Sequence, residues 1–282
     1  MQRPAAAFPF AGQRASQSTL AELIRVSADG RRPRRWRIIR CMSMRSLLVL
    51  AVSALAACAA SPVDDARAAR DAAVIASPLR TPADRVLDAE RKPAQFLPFT
   101  GVAPGMKVLD VSAGGGYTSQ LLALSVLPGG TLYAQTPRPG AALVKRLDEH
   151  PQADFVVVRQ PFDDPVPAGA PKLDLVTLVL NYHDISYLPV DRAKMNAAIF
   201  AALKPGGHYV IVDHSSRPGA GISEGKTLHR IEEAVVRREV EQAGFVLETE
   251  GDFLRNPADP RDVPSSRPAI PTDKFALRFV KP

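Results

Sequence analysis

From Thr81 onward the chain alternates short apolar runs rich in β-branched residues with longer stretches of helical spacing. Thr81-Pro82-Ala83-Asp84 reads as a helix start: a hydroxyl N-cap, a proline in the first turn and an acid near the positive helix end. That helix is predicted to run to about Phe99, with a break near Pro93. Val108–Val111 is a strand before a helix over 117–127, and Thr131–Gln135 a strand before the helix Ala141–Glu149. Phe155–Val158 and Leu173–Leu180 are further strands, and Asp191–Leu203 a helix that ends at Lys204-Pro205-Gly206-Gly207. His208–Asp213 is the fifth strand. Thr227–Ala243 carries Leu228, Ile231, Val235 and Val236 at helical spacing and stops at Gly244. Phe245–Glu250 and Lys274–Val280 close the chain without a helix between them, so they are expected to pair antiparallel. Strands alternating with helices imply an α/β fold, a mostly parallel sheet covered on both faces.

Composition changes the picture mainly at the N-terminus. The chain has 282 residues and a formal net charge of +7. Ten arginines and two acids in residues 1–57 contribute +8, so the remainder carries −1 and binding to nucleic acid by charge is excluded. Met44-Arg45, the apolar run Leu47–Leu55 and Ala56-Ala57-Cys58 form a positive, apolar and small-residue sequence, the layout of a signal peptide over 44–57. The apolar run falls short of the roughly 20 residues that span a bilayer. Leu55-Ala56-Ala57-Cys58 resembles the bacterial lipobox, which makes Cys58 the expected lipidation site and the expected location periplasmic, anchored in the outer membrane. Cys41 lies upstream, so the exported domain would hold no second thiol. Residues 1–43 are expected to be an extension preceding the true start at Met42 or Met44, residues 58–78 a flexible tether, and residues 79–282 one domain.

The candidate chemistry sits at strand ends. Asp110-Val111-Ser112-Ala113-Gly114-Gly115-Gly116 couples an acid to a small-residue loop, where missing Cβ atoms let a ligand approach the backbone. Asn181-Tyr182-His183-Asp184 follows the fourth strand and Asp213-His214 ends the fifth, at the carboxyl edge where open α/β sheets bind ligands. His183, Asp184 and His214 are the candidate catalytic residues, with His183 placed to take a proton from a substrate hydroxyl or amine. His229 opens the following helix. No pair of these residues has the spacing of a metal motif, so no metal is expected.

Thr81-Pro82-Ala83-Asp84-Arg85, Gly114-Gly115-Gly116-Tyr117, Leu203-Lys204-Pro205-Gly206-Gly207, Val212-Asp213-His214 and the ending Asp273–Pro282 together make the resemblance plain. The chain resembles the class I S-adenosylmethionine-dependent methyltransferases, most of all an exported bacterial family of predicted methyltransferases. That resemblance implies a Rossmann-like sheet of seven strands with an antiparallel last strand, and S-adenosylmethionine as cofactor. It assigns cofactor binding to Asp110, Ser112, Gly114, Gly116, Tyr117, Gln135, Phe162, Asp163 and Asn181. Two positions depart from the family: Ser112 replaces the first loop glycine, and Gln135 stands where an acid normally holds the ribose hydroxyls.

The expected activity is methyl transfer to a small-molecule or lipid-like acceptor. The alternative is a non-catalytic exported lipoprotein that binds a small ligand on the same fold; export favours it, because S-adenosylmethionine is a cytoplasmic metabolite. An NAD-binding Rossmann protein fits less well, since Lys204-Pro205-Gly206-Gly207 and the final strand pair belong to the methyltransferase pattern.

Overall fold

The computed structural model describes residues 62–282. The expected N-terminal extension, the signal peptide and Cys58 therefore lie outside the described residues. Helices α1 (Pro62–Ala76), α2 (Pro82–Arg91) and α3 (Pro93–Thr100) precede the sheet. Then follow β1 (Lys107–Val111), α4 (Tyr117–Ser125), β2 (Thr131–Gln135), α5 (Ala141–Glu149), β3 (Phe155–Val158), β4 (Leu173–Val179), α6 (Tyr182–Ile185) and α7 (Arg192–Ala202). The chain ends with β5 (Leu203–His214), α8 (Gly225–Leu228), α9 (Glu233–Gln242), β6 (Val246–Gly251) and β7 (Lys274–Val280).

The seven strands form one sheet in the order β3-β2-β1-β4-β5-β7-β6. β1 to β5 are mutually parallel, and β7 runs antiparallel between β5 and β6. Strands β1, β4 and β7 are largely buried on both faces, because helices cover both sides and each face buries its own core. Strand order reverses between β1 and β4, which opens a crevice at their carboxyl ends.

Besides β5, which begins at Leu203 instead of His208, two segments differ from the sequence expectation. Residues 62–76, within the predicted tether, form helix α1, which packs on α3 and α4 and buries Val74 and Asp71. Its alanine-rich, alternately charged sequence is a good helix former, and a composition-based reading hides that. The helix predicted over 227–243 is two helices. His229 takes a left-handed φ of 51°, and the backbone of Ile231 bonds His214 and Ser216 across the sheet edge instead of continuing the helix. The fully buried Arg230 explains the break, because its guanidinium reaches Asp259 at 2.7 and 3.2 Å and the carbonyl of Val263. Arg230 reaches those partners only if the helical ladder is interrupted.

Candidate functional site

A cavity of about 580 Å³ opens at the strand-order reversal. Its floor is the loop 112–115, its walls are the end of β4 and the face of α5, and its roof is the first turn of α2. That turn is held by a capping box: the Thr81 hydroxyl accepts from the Asp84 amide at 3.1 Å, and Asp84 accepts from the Thr81 amide at 2.9 Å. The Asp84 carboxylate also takes both terminal nitrogens of Arg146 at 2.8 Å, tying α2 to α5 over the loop. Burial opposes this carboxylate's charge, yet the Arg146 bonds and the cap hold its pKa below the usual range.

The loop itself is tensioned. Ser112 sits at φ 62°, a region that costs most residues free energy, and it is anchored there by two bonds. Its amide donates to Gln135 Oε1 at 3.0 Å and its hydroxyl to Asn181 Oδ1 at 2.7 Å. A serine at the usual glycine position thereby joins the ends of β1, β2 and β4. Gly114, at φ 54°, has nothing nearer than 3.9 Å to a Cβ built on it, so its backbone faces open space.

Asp110 lies beneath the loop, buried, accepting from Ser119 at 2.5 Å and Thr177 at 2.7 Å. Burial raises its pKa to about 6, against the lowering effect of those two bonds and of Arg91. Arg91 borders the cavity with its guanidinium 5.2 Å from the Tyr117 ring centre. Its Nε is buried without a hydrogen-bond partner among the described residues. The Tyr117 hydroxyl donates to Asp88 at 2.7 Å, which fixes the ring between Arg80 and Arg91.

The fold recurs in solved structures. A S-adenosylmethionine-dependent methyltransferase of Aquifex aeolicus superimposes with a TM-score of 0.51 over 71% of this chain and 94% of its own, at 18% identity. The fold is that of the class I methyltransferases. A phosphoethanolamine N-methyltransferase of Haemonchus contortus, solved with phosphomonomethylethanolamine and S-adenosylhomocysteine, aligns at TM-score 0.51 and 16% identity over 68% of this chain and 52% of that one. In sequence, an uncharacterized methyltransferase of Synechocystis is 29% identical over 157 residues, covering 52% of this chain and 69% of that protein. No protein-family model matches.

Of the residues expected to bind cofactor in this methyltransferase fold, Asp110, Ser112, Gly114, Tyr117 and Asn181 border the cavity. Four do not. Gly116 caps α4 behind the loop, where an added Cβ would meet Arg146 Nε at 2.9 Å. Gln135 is fully buried, and its amide is spent on the Ser112 nitrogen and on the Gln160 carbonyl at 2.6 Å. It is an internal brace and presents no acceptor to a ribose. Phe162 is half-buried against the core, and Asp163 pairs with Lys194 at 3.0 Å. The sequence reading missed Asp84, Arg91, Lys145, Glu149 and Arg146, which border the cavity from α2 and α5. Only the Thr81–Asp84 helix start among them left a local signal.

Beyond Asn181 the candidate catalytic residues form a second polar cluster. Asn181 Nδ2 donates to Asp184 Oδ2 at 3.1 Å, which links this cluster to the Ser112 loop. The buried His183 ring has Nδ1 2.6 Å from Asp213 Oδ1 and Nε2 3.3 Å from Asp184 Oδ1. Burial disfavours its charge, but the Asp213 and Asp184 carboxylates outweigh burial and raise its pKa to about 10. His229, which enters through the left-handed turn that ends α8, has Nδ1 2.8 Å from Asp184 Oδ1. His214 packs edge-on 5.7 Å from the His183 ring, bonded to Thr272, and burial with Lys274 and His183 nearby holds it neutral. His183, Asp184 and His229 offer ligand atoms within 4.8 Å of one another, although 45 residues separate Asp184 from His229. That separation is why no motif showed.

Proposed function

We propose that this protein is a S-adenosylmethionine-dependent methyltransferase with a small-molecule or lipid-like acceptor. The observation that carries the reading is the cavity at the β1/β4 reversal, floored by a glycine loop and bordered by Arg91, a cation with a buried, unpartnered Nε. The residues fit the cofactor. Arg91 suits a carboxylate, the open backbone of Gly114 suits close approach, and the buried negative charge of Asp110 suits an ammonium or sulfonium. Among the acids bordering the cavity, Asp84 is engaged by Arg146 and Asp110 lies beneath the loop, so Glu149 on α5, exposed and only 3.7 Å from Lys145, is the acid for a diol. Gln135, buried, has no part in it.

The cofactor, when bound, supplies a methyl group already activated by its sulfonium. What remains for the chain is alignment and the exclusion of water. The α2 roof, locked to α5 by Asp84 and Arg146, covers the cavity, and Tyr117 stiffens the wall. The acceptor is assigned to the side of Asn181, where His183, Asp184 and His214 orient it.

Isothermal titration of the full chain with S-adenosylmethionine, S-adenosylhomocysteine and NAD tests the reading. Saturable heat with the first two and none with NAD is expected. Heat with none of them overturns it in favour of a non-catalytic ligand-binding protein.

On the Leu55-Ala56-Ala57-Cys58 junction, export with a lipid on Cys58 is proposed as well. Cys58→Ser should move the protein from the membrane to the soluble fraction or block its processing; unchanged fractionation with no lipid mass on Cys58 refutes this.

A further inference from the structure

We propose that His183 Nε2, Asp184 Oδ1 and His229 Nδ1 bind one divalent transition-metal ion at the rim of the cleft. The argument begins with crowding at a single atom. Asp184 Oδ1 lies 3.3 Å from His183 Nε2, 2.8 Å from His229 Nδ1 and 3.2 Å from the Tyr187 hydroxyl. A carboxylate oxygen has about two lone-pair sites, and His229 Nδ1 and the Tyr187 hydroxyl already take them, so His183 Nε2 faces this oxygen at 3.3 Å without a site of its own. Two imidazole nitrogens gathered on one carboxylate oxygen are also the arrangement of ligands around a shared ion. Ligand atoms bound at about 2.0–2.2 Å lie about 2.8–3.6 Å apart around a tetrahedral or octahedral ion. The two separations from Asp184, 2.8 and 3.3 Å, fall in that interval, and all three atoms lie within 4.8 Å of one another.

The ligands are also held from behind. Asp213, fully buried, takes both the His183 backbone amide, at 2.8 Å, and its ring Nδ1, at 2.6 Å. This leaves Nε2 as the outward atom, the carboxylate–histidine arrangement that orients a metal-bound imidazole. Asn181 fixes the other oxygen of Asp184 at 3.1 Å. The His229 backbone is pinned where its carbonyl accepts from Ser265 at 3.0 Å. His183 closes the site from the protein side, while the side chains of Asp184 and His229 are 28% and 36% exposed. Three protein ligands with an open outer side form a site able to accept a further oxygen ligand. Two imidazoles and one carboxylate, with no cysteine between residues 62 and 282, select zinc, manganese, iron or cobalt over calcium and magnesium.

The metal site stands independently of the methyltransferase reading. On that reading the ion would hold an acceptor oxygen beside Asn181, one residue group away from the cofactor loop.

Cobalt(II) is the probe, titrated into the untagged full chain and followed by its visible d–d absorption, with zinc as competitor. Stoichiometric binding that zinc displaces is expected. Asp184→Asn and His229→Ala should each weaken it at least tenfold, and Asp213→Asn, acting through His183, by about 10–100-fold. His150→Ala, remote from the cluster, should bind as the parent does. Zinc should also raise the melting temperature of the parent and leave that of His229→Ala unchanged, a readout independent of any fold loss in the buried variants. Absence of a cobalt spectrum, or His229→Ala binding as tightly as the parent, overturns the site. Neither result bears on the titration with S-adenosylmethionine.

Discussion

Replacing Arg146 with Met tests whether the α2–α5 clasp holds the cavity closed. Arg146 and Asp84 are joined by two 2.8 Å bonds, and their side chains are 6% and 4% exposed. Methionine keeps the length and apolar stem of Arg146 but leaves the Asp84 carboxylate buried, with the Thr81 amide and the more distant charge of Arg80 to balance it. Stranding one member of a buried pair costs about 3–5 kcal/mol. For a domain of this size each kcal/mol moves the melting temperature by roughly 2–4 °C, so a fall of roughly 6–20 °C is expected. Asp84→Ala in the same background removes the stranded charge. The double variant should therefore recover most of the loss, short of the capping box, whose removal costs about 0.5–2 kcal/mol. Urea denaturation of the parent, the two single variants and the double variant supplies the cycle. A loss below about 1 kcal/mol for Arg146→Met, or a double variant as unstable as the sum of the singles, would refute the clasp.

Three further outcomes follow from the loop and its supports. Asp110, with a folded pKa of about 6 against 3.8 for the free group, binds its proton more tightly when folded. Its contribution to stability is full below pH 4 and is lost as pH rises through 6, a difference of about 3 kcal/mol. The stability of the parent relative to Asp110→Asn, measured by denaturant titration between pH 4 and 8, should decline over that window, and a flat difference refutes it. Gln135→Asp should lower the melting temperature and leave cofactor affinity no better, since it buries a shorter, charged group and frees the Ser112 amide; tighter binding in the calorimeter would contradict the internal placement. Gly116→Ala, with a Cβ facing Arg146 at 2.9 Å and Leu143 at 3.0 Å, should destabilise by about 1–3 kcal/mol. Gly114→Ala should cost less, and equal melting temperatures for the two variants would show that crowding is not what separates them.

Much of the sheet was legible because its strands are short β-branched runs bounded by turn residues. Thr131–Gln135, Phe155–Val158 and Lys274–Val280 stand in the structure at their expected limits. The insertion of β7 between β5 and β6 was not legible from periodicity, because pairing partners leave no local mark. The break at His229 was hidden for a similar reason: Leu228, Ile231 and Val235 keep helical spacing while the buried Arg230–Asp259 pair, 29 residues apart, overrides it. Strand ends placed the loop, Asp110 and Asn181 correctly at the crevice, since parallel strands present their carboxyl ends to one rim.

The failures at the site share one cause. Strand-end position says which rim a residue reaches and is silent on which way its side chain turns. Gln135 ends β2 at the proper rim, yet it turns inward because Ser112, forced to φ 62°, leaves an amide that needs an acceptor at 3.0 Å. The two departures from the family pattern are thus one physical unit. A serine in the left-handed region is held there by its hydroxyl bond to Asn181 as well as by the amide bond to Gln135, where a glycine would need only the second. Ser112→Gly should therefore change stability by less than about 1 kcal/mol, because relief of backbone strain offsets the lost hydroxyl bond to Asn181. Ser112→Ala keeps the strain and loses the bond, so it should be the less stable variant by about 1–2 kcal/mol. Thermal melts of the pair decide it: alanine equal to or above glycine would mean that the loop is not strained at residue 112.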